Sequence, residues 1–230
     1  MPTYRQFCPV AKAAEIFAER WTPLIMRELL LGSHRFSEIE AGVPRMSKSL
    51  LAQRLRYLQR AGLIERRVGA DGRSPEYHLT RAGSELWDVV EQLGIWGQRW
   101  ANLELAPEDV DPDLLMWDLR RRINWDKVPD RRVVVQFDFS GISTSHYWLV
   151  LERGEASVCL TYPGFEPDVV IAADTLAFHQ IWVGHLSFEM ALRRQLIHMD
   201  GTRELVRAFP DWLALSMFAH IEPVEAVASD

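Results

Sequence analysis

The sequence predicts an α+β protein with two parts that differ in secondary structure and in charge. Two short helical segments and a hairpin follow one another between Arg35 and Leu79, whereas alternating apolar and polar residues after Val133 indicate β-strands. The segment from Arg35 to Arg73 has nine Lys or Arg and four Asp or Glu, a net charge of +5 in a chain of net charge −6. A basic segment in an acidic chain favours contact with phosphate groups.

Length and composition exclude several classes of protein. The chain has 230 residues, 48% hydrophobic and 25% charged, which suits two globular domains. It has no apolar run of about 18 residues and no basic-then-apolar leader, so we expect a cytoplasmic protein without a membrane partner. Cys8 and Cys159 form no CxxC motif, and no His pair has the spacing of a metal site. The sequence therefore predicts no metal site and no cofactor.

The N-terminal region predicts a series of capped helices. Pro9 can start a helix that continues through Arg20. Thr22 followed by Pro23 is typical of an N-cap with proline at the first helical position. Ser37, with Glu40 three residues later, matches a capping box and predicts the short helix that precedes the main one.

A helix with one apolar and one polar face is predicted after Ser47. Ser47 is a suitable N-cap, and Gly62 suits the left-handed position just past a helix end. At about 100° per residue, three leucines share one face of this helix, namely Leu51, Leu55 and Leu58. The opposite face offers hydrogen-bond donors and positive charge from Ser49, Gln53, Arg56 and Arg60, with Lys48 on its flank.

The residues from Leu63 to Leu79 predict a basic β-hairpin. Leu63–Val68 and Glu76–Leu79 read as strands, and Gly69–Pro75 has the Gly, Asp, Ser and Pro residues of a turn. A helix, a turn, a second helix and a hairpin together make a winged helix. That fold places one helix in the major groove of DNA and the hairpin near the flanking backbone.

The expected partner is therefore a double-stranded DNA operator. Groove contacts are predicted for Lys48, Ser49, Gln53 and Arg56. Contacts to phosphates or the minor groove are predicted for Arg66, Arg67 and Arg73. The alternative is an ordinary solvated helix face, since the outer faces of surface helices are commonly charged.

The segment after the hairpin predicts a long helix that Thr80 caps and that continues to about Leu105. Its apolar residues recur at alternating steps of three and four, which is typical of a coiled-coil seam: Leu86, Val89, Leu93, Trp96, Trp100 and Leu103. Two tryptophans on such a seam favour a homodimer, as in winged-helix proteins that read two half-sites. The alternative is a seam that covers only its own domain.

Several ordered motifs lie in this first part. They are Cys8-Pro9-Val10, Arg20-Trp21-Thr22-Pro23-Leu24-Ile25-Met26-Arg27-Glu28-Leu29, Arg35-Phe36-Ser37-Glu38-Ile39, Leu55-Arg56-Tyr57-Leu58 with Gly62-Leu63 and Arg66, and Tyr77-His78-Leu79-Thr80. Over roughly residues 5–105 the chain resembles the HxlR family of bacterial and archaeal transcriptional regulators. The resemblance implies a winged-helix dimer whose first and last helices form the interface, with Cys8, Leu86, Leu93, Trp96 and Trp100 in it. In some members the equivalent Cys senses electrophiles or oxidants; the alternative for Cys8 is inert packing.

A change of composition marks a predicted domain boundary. Residues 106–112 are acidic and contain two prolines. The net charge is +3 through Ala106 and −9 beyond it. We therefore expect a DNA-binding and dimerisation domain at 1–106, an effector domain at 107–220 and a disordered tail at 221–230.

The second part predicts a mixture of strands and helices. Strands are expected at residues 133–139, 146–152, 156–162, 168–172 and 197–201. Helices are expected at residues 112–123, 175–183, 187–196 and 202–218, the last of them interrupted by Pro210.

Three motifs in this second part are Trp182-Val183-Gly184-His185, Ala191-Leu192 and Ile197-His198-Met199-Asp200-Gly201. With them, residues 112–218 are similar to sterol-carrier-protein-like lipid-binding domains. The resemblance implies a curved α+β sheet with helices over an apolar tunnel for a fatty acyl or other hydrophobic small molecule. Predicted pocket residues are Phe137, Phe139, Trp148, Trp182 and Phe188; the alternative for each is core packing. His185 and His198 are either head-group contacts or locally satisfied.

The main functional hypothesis is a dimeric, sequence-specific DNA-binding transcriptional regulator whose second domain binds a hydrophobic effector. The alternative is a lipid-carrier or ligand-binding module in which the winged helix mainly mediates protein contacts. A hydrolase is not favoured, because Ser143, Ser145 and His146 lie in a turn without a supporting motif and no catalytic residue can be assigned.

Overall fold

The computed structural model describes residues 3–69, 72–101, 106–142 and 144–224. It divides into two compact units, Met1–Gly94 and Ile95–Asp230. The boundary predicted at residue 106 follows residues 102–105, which lie outside the described residues, as does Ser143. Most of the predicted tail, residues 225–230, lies outside them too.

The first unit is mainly helical, with a two-stranded hairpin. Its helices are α1 (Pro9–Phe17), α2 (Thr22–Leu30), α3 (Phe36–Ala41), α4 (Lys48–Arg60), α5 (Arg81–Ser84) and α6 (Trp87–Trp96), the last of which continues to the start of the second unit. Its strands are β1 (Ile64–Val68) and β2 (Pro75–Leu79), which pair antiparallel. The order of helices followed by a hairpin confirms the predicted winged helix.

A single apolar cluster holds the first unit together. Leu51, Leu55 and Leu58 of α4 are completely buried in it, which confirms the predicted apolar face of this helix. Ile25 of α2 and Ile39 of α3 are buried in the same cluster. Burying a Leu or Ile side chain contributes roughly 1.5–3 kcal/mol, so these contacts fix how α4 packs on α2 and α3.

The start of α2 differs from the predicted one. Thr22 is the first helical residue rather than the N-cap, because the carbonyl of Trp21 accepts the first helical hydrogen bond, from the backbone N–H of Ile25 at 2.9 Å. Trp21 adopts a left-handed conformation, with φ 76°. The proline at the next position remains compatible with a helix start, since proline is tolerated in the first turn.

The capping box of α3 is also shifted from the predicted one. It joins Arg35 to Glu38 rather than Ser37 to Glu40. One carboxylate oxygen of Glu38, Oε2, accepts the backbone N–H groups of His34 at 2.8 Å and Arg35 at 3.0 Å. The helix therefore begins earlier than the Ser-x-x-Glu pattern indicates.

The prediction of one long, continuous helix after the hairpin is wrong. Thr80 caps α5 as predicted, since its hydroxyl accepts the backbone N–H of Gly83 at 3.2 Å, but this helix ends at Ser84. α6 follows, and residues Gly97–Ala101 form a π-helical turn in the second unit. A π-helical turn has more residues per turn than an α-helix, so apolar residues spaced alternately three and four apart no longer lie on one face.

The second unit is a mixed sheet covered by helices. Its strands are β3 (Val133–Ser140), β4 (Ser145–Glu152), β5 (Glu155–Cys159), β6 (Val169–Asp174) and β7 (Ile197–Gly201). Its α-helices are α7 (Pro112–Leu119), α8 (Thr175–Trp182), α9 (Phe188–Arg193) and α10 (Arg203–Trp212), with 3₁₀ turns at Pro107–Asp109 and Trp125–Lys127. The winged helix and this mixed sheet together agree with the predicted α+β class.

The strand order in this sheet is β5-β4-β3-β6-β7. β3 and β6 are parallel, and the other neighbouring pairs are antiparallel. One face is packed into an apolar core by Phe137, Phe139, Leu149 and Ile171. The helices of this unit supply the rest of the core, including Phe178 and Trp212.

The last predicted helix is shorter than expected. α10 contains Pro210 as predicted but ends at Trp212 rather than at residue 218. Leu213 leaves the helix because it forms an antiparallel bridge with Ile123, and the backbone N–H of Ala214 donates to the carbonyl of Arg122 at 2.8 Å. β5 likewise ends at Cys159, three residues before the predicted end. Among the described residues, no helix is both long and apolar enough to cross a membrane.

Helix α5 closely approaches the backbone of Leu63, the residue before β1, and a substitution can test this contact. A Cβ at Gly83 would lie 2.1 Å from the carbonyl oxygen of Leu63, which Thr80 already holds through a backbone hydrogen bond of 3.0 Å. Gly83→Ala should therefore lower the free energy of unfolding by about 1–3 kcal/mol, as overpacking does. Urea denaturation followed by circular dichroism measures the change.

Gly97→Ala is the matched control, because a Cβ at Gly97 meets no atom within 4 Å. It should leave the free energy of unfolding unchanged or raise it by up to about 1 kcal/mol, since alanine has the higher helix propensity. Equal stability of the two variants would contradict the packing of α5 described above.

Candidate nucleic-acid interface

The exposed side of α4 is set by its buried side. Ser47 caps the helix as predicted, since its hydroxyl accepts the backbone N–H of Leu50 at 3.3 Å. With the three leucines buried, the opposite side is open to solvent along its whole length. The exposed residues on it include all four predicted groove contacts, Lys48, Ser49, Gln53 and Arg56, and also Arg60.

The four residues differ in whether their side chains form hydrogen bonds or ion pairs within the chain. Lys48 forms an ion pair with Glu40 of α3, with Nζ and Oε1 3.1 Å apart, although the Lys48 side chain is 76% exposed. The Ser49 hydroxyl lies 3.2 Å from that of Ser47. Within the described residues, no hydrogen bond or ion pair engages the side chains of Gln53 and Arg56. These two are therefore the side chains most available to an external partner.

The arginines of the hairpin do not all point in one direction. Successive residues of a strand face opposite sides, so Arg66 and Arg67 of β1 lie on opposite faces of the hairpin. Arg67 pairs with Glu65, and both residues are exposed. Arg73 is exposed in the connecting turn, next to residues 70 and 71, which lie outside the described residues. The hairpin thus offers positive charge on more than one side.

Sequence reasoning missed the acidic partners of these cations. Glu40 belongs to α3 and meets Lys48 across the turn between two helices, so no helical spacing rule connects them. Glu65 is two residues from Arg67 on the same face of β1, a spacing that strand periodicity does indicate. Both carboxylates compete with any phosphate that approaches the cations.

Comparisons with known proteins show a family for the first part of the chain. The family model described as HxlR-like helix-turn-helix matches residues 16–105. The HTH-type transcriptional regulator YvaP of Bacillus subtilis is 38% identical over 114 residues, which cover 48% of this chain and 95% of YvaP. This chain belongs to the HxlR-like helix-turn-helix family. The matched residues include α2 to α6, so the family covers the winged helix and not the mixed sheet.

Other known proteins are similar to the same part of this chain. The HTH-type transcriptional regulator YodB of Bacillus subtilis is 33% identical over 110 residues, 45% of this chain and 90% of YodB. The solved structure of its reduced form shares 32% identity over 40% of this chain and 93% of that one, with a TM-score of 0.36. A further HTH-type regulator, Rv3095 of Mycobacterium tuberculosis, is 38% identical over 94 residues and is covered to 58% of its length.

The predicted dimer residues of this HxlR-like chain fall into two groups. Leu86 is half-buried against the core of the first unit, so at least part of its side chain packs within its own unit. In contrast, Leu93 and Trp96 of α6 are 49% and 61% exposed, and Trp100 in the π-turn is 50% exposed. Leu103 lies outside the described residues. Large exposed apolar side chains on one helix are typical of a surface that another protein covers.

Cys8 lies at the N-cap of α1 and is half-buried. Its carbonyl accepts the backbone N–H of Lys12 at 3.1 Å. Phe7, directly before it, is 98% exposed, and Val10, two residues after it, is 76% exposed. The N-terminal helix therefore also presents apolar side chains to solvent.

The predicted pocket residues of the second unit are not all brought together. Phe137, Phe139 and Phe188 surround Phe178, with ring centroids 5.5–6.1 Å from it. Trp182 is 7% exposed and belongs to the same core. Aromatic rings at these distances pack edge to face, so this region is occupied by the side chains themselves.

Trp148 is placed differently from the other predicted pocket residues. In β4 it is paired in register with Gln136, whereas Phe137 is paired with Tyr147. Along a strand, successive side chains lie on opposite faces of the sheet, and residues paired in register lie on the same face. Trp148 therefore lies on the face of the sheet away from Phe137 and Phe139, and the five residues cannot line one pocket.

Proposed function

We propose that this protein is a sequence-specific, DNA-binding transcriptional regulator. The observation that carries the proposal is the exposed, unengaged face of α4 around Gln53 and Arg56, in the helix that a winged helix inserts into the major groove. The relatives YvaP and YodB are themselves named HTH-type transcriptional regulators. The names of these relatives and the exposure of α4 both support a DNA-binding function.

The side chains of α4 suit the reading of base edges. Arg56 can donate two hydrogen bonds to the O6 and N7 atoms of guanine, and Gln53 can pair in the same bidentate way with adenine. Ser49 is a shorter donor and acceptor near the start of the helix. Helix-turn-helix proteins contact bases mainly from the N-terminal part of the recognition helix, which in α4 contains Ser49 and Gln53, and Arg56 lies about one turn further on.

The hairpin arginines suit contacts to phosphate, and so does Lys48, which the sequence analysis assigned to the groove. Lys48 and Arg67 would exchange their carboxylate partners for phosphate oxygens on binding. Such exposed ion pairs are worth only about 0–1 kcal/mol, so the exchange costs little. Together with Arg66 and Arg73, they would position the protein on the duplex without reading its sequence.

We propose a homodimer as the DNA-binding form. Two copies would cover the exposed apolar side chains of α6, including Leu93 and Trp96, and the predicted interface includes Trp100 and Cys8 as well. A two-fold dimer of helix-turn-helix proteins presents its recognition helices to half-sites about 34 Å apart, one turn of DNA. Oxidant or electrophile sensing at Cys8 is a further hypothesis, and what supports it is that this free thiol is only partly buried and lies at the start of α1.

The second unit is proposed to act as an effector unit. A hydrophobic small molecule as the effector requires the rings around Phe178, which fill this region, to separate and admit it. The alternative is a lipid-carrier module whose winged helix mediates protein contacts. That alternative predicts no DNA affinity, whereas the regulator hypothesis requires it.

The specificity of α4 can be tested by substitution. Arg56→Ala should weaken binding to a duplex selected from a random library by about 1–3 kcal/mol, the contribution of one good base contact. Binding to an unrelated duplex should weaken much less. Fluorescence anisotropy with both duplexes measures the difference.

Arg203→Ala is the matched control, because Arg203 is an exposed cation at the start of α10 in the second unit. It removes the same charge and should leave both affinities unchanged. If Arg56→Ala and Arg203→Ala had the same effect on the selected duplex, α4 would not be the reading helix.

The dimer can be tested at its most exposed tryptophan. Trp96→Ala should weaken self-association by about 2–4 kcal/mol, as expected for an aromatic residue at the centre of an interface. Because Trp96 is 61% exposed within one chain, the fold of the monomer should persist. Sedimentation equilibrium and circular dichroism measure the two properties.

Leu160→Ala is the control for this prediction, since Leu160 is 68% exposed outside the proposed interface. It should sediment as the wild type does. A wild-type protein that remains monomeric at tens of micromolar would contradict the proposed dimer.

A further inference from the structure

A buried glutamine attaches the π-turn, Gly97–Ala101, to the loop between α8 and α9 of the same unit. Gln98 is only 6% exposed, and its amide Nε2 donates to the carbonyl of Val183 at 3.0 Å. The same Nε2 lies 3.1 Å from Nε2 of His185. Single π-turns within helices are rare and lie frequently at functional sites, so a buried polar anchor in one of them is a candidate for regulation.

These contacts determine the protonation state of His185. The carbonyl of Val183 can only accept a hydrogen bond, so the NH₂ group of Gln98 must face it. The same NH₂ group then faces Nε2 of His185, which must accept as well, and the imidazole is therefore neutral with its proton on Nδ1. In a protonated imidazole both nitrogens are donors, so an Nε2–H group would face the NH₂ group. Turning the amide over would not restore both hydrogen bonds, because its oxygen would then face the carbonyl oxygen of Val183.

The surroundings of His185 do not favour its charged form. The imidazole is half-buried, and the loop lies against the backbone of Ala219, where a Cβ at Gly184 would be 2.2 Å from the carbonyl oxygen. The titratable or charged groups on the π-turn, α8, α9 and residues 213–224, the elements next to this loop, are Arg99, His179, Glu189, Arg193, His220 and Glu222. Within the described part of the chain, none of these groups raises the pKa of His185, and burial lowers it below its ordinary value.

The π-turn has a regular α-helix as its alternative. Trp96 and Trp100 are four residues apart, the spacing that puts two side chains on one face of an α-helix. A π-turn replaces i→i+4 hydrogen bonds by i→i+5 bonds and so rotates Trp100 relative to Trp96. A Cβ at Gly97 would meet no atom within 4 Å, so the backbone at the start of the turn has room to move. The contacts of Gln98 therefore favour the π form, whereas the spacing of the tryptophans favours the helix.

We propose that the hydrogen bond from Gln98 to His185 is a pH-dependent lock, which holds the π-turn while His185 is neutral and releases it when His185 is protonated. The released turn becomes regular helix and brings Trp100 onto the face of Trp96, so that the two exposed indoles extend one apolar surface. Acidification therefore strengthens the homodimer. The lock itself does not depend on the proposed function, but this last consequence rests on the homodimer proposed there.

The direction of the effect follows from proton binding to the two states. In the locked state, burial and the hydrogen bond from Gln98 both stabilise the neutral imidazole and lower its pKa. In the released state, the imidazole approaches the ordinary histidine pKa of about 6.5. Protons bind the released state more tightly, so the stability that the lock contributes is present above about pH 6.5 and is lost as the pH falls below it.

The lock is tested directly by NMR spectroscopy of the full chain labelled with ¹⁵N in histidine. Long-range ¹H–¹⁵N correlations should show His185, identified by its absence from His185→Gln, as neutral at pH 8 with its proton on Nδ1. Gln98→Met removes the donor and should raise the proton affinity of His185 by about fivefold, the worth of one hydrogen bond. A resolved signal is needed because burial also lowers the pKa of His179, so overall acid stability would not separate the two histidines.

The consequence for the homodimer is tested by sedimentation equilibrium. The wild type should associate about tenfold more tightly at about pH 5.5 than at about pH 8, as expected when a further aromatic side chain joins an interface. His185→Gln keeps an acceptor for the amide of Gln98 but does not titrate, so its association should change much less with pH. His198→Gln is the matched control, because it removes an exposed histidine of β7 and should behave as the wild type does.

The outcomes separate the lock from its consequence. A proton on Nδ1 of His185 at pH 8, with a proton affinity that rises in Gln98→Met, supports the lock. A proton on Nε2, or a titration of His185 that Gln98→Met leaves unchanged, overturns it. Equal pH dependence of association in the wild type and His185→Gln overturns the link to the homodimer. A wild type that stays monomeric at both pH values contradicts the proposed homodimer and this link with it, whereas the NMR result still decides on the lock.

Discussion

The burial of three leucines on α4 is the constraint on which the interpretation of the first unit depends. Leu51, Leu55 and Leu58 are completely buried, and this fixes the rotation of the helix about its axis. Rotation in turn determines that Gln53 and Arg56 face solvent, where they can meet the edges of base pairs. Replacing one of these leucines by alanine would cost about 2–5 kcal/mol and would release that orientation.

The two parts of the chain differ in net charge, and this difference favours contact with a polyanion by the first part. The stretch from Arg35 to Arg73 is basic, while the chain beyond Ala106 is strongly acidic. Some of the cations are already paired with carboxylates of the same unit, as Lys48 is with Glu40. Pairing of this kind lowers the net attraction for any polyanion, and it leaves a larger share of the binding free energy to contacts that read sequence.

The parts of the structure that depend on local patterns were predictable from the sequence. The apolar stripe of α4, its Ser47 cap and the alternation along β3 follow from periodicity and from short-range hydrogen bonds. The interruption of the helix after Ser84 was not predictable, because the heptad-like spacing of its apolar residues continues across the break. The close contact between Gly83 of α5 and the carbonyl oxygen of Leu63, which lies just before this break, is likewise not indicated by the spacing.

The positions of the predicted site residues were also predictable only where a single helix or strand determines them. Gln53 and Arg56 were placed correctly on the exposed face because one helix determines both. Trp148 was grouped with Phe137 although the register of two strands puts them on opposite faces, and register is a property of the pairing rather than of either strand alone. The ion pair between Lys48 and Glu40 was missed for a similar reason, since it joins two separate helices.

The most direct test of the account is the salt dependence of DNA binding by the wild-type chain. Fluorescence anisotropy titrations between 50 and 200 mM salt should show a linear fall of the logarithm of affinity with the logarithm of salt concentration, with a slope of about −0.9 for each phosphate neutralised. If each subunit of the proposed dimer contributes Lys48, Arg66, Arg67 and Arg73, the slope should be several units. Absence of DNA binding, or binding that does not respond to salt, would contradict the assignment of α4 and the hairpin as a nucleic-acid interface.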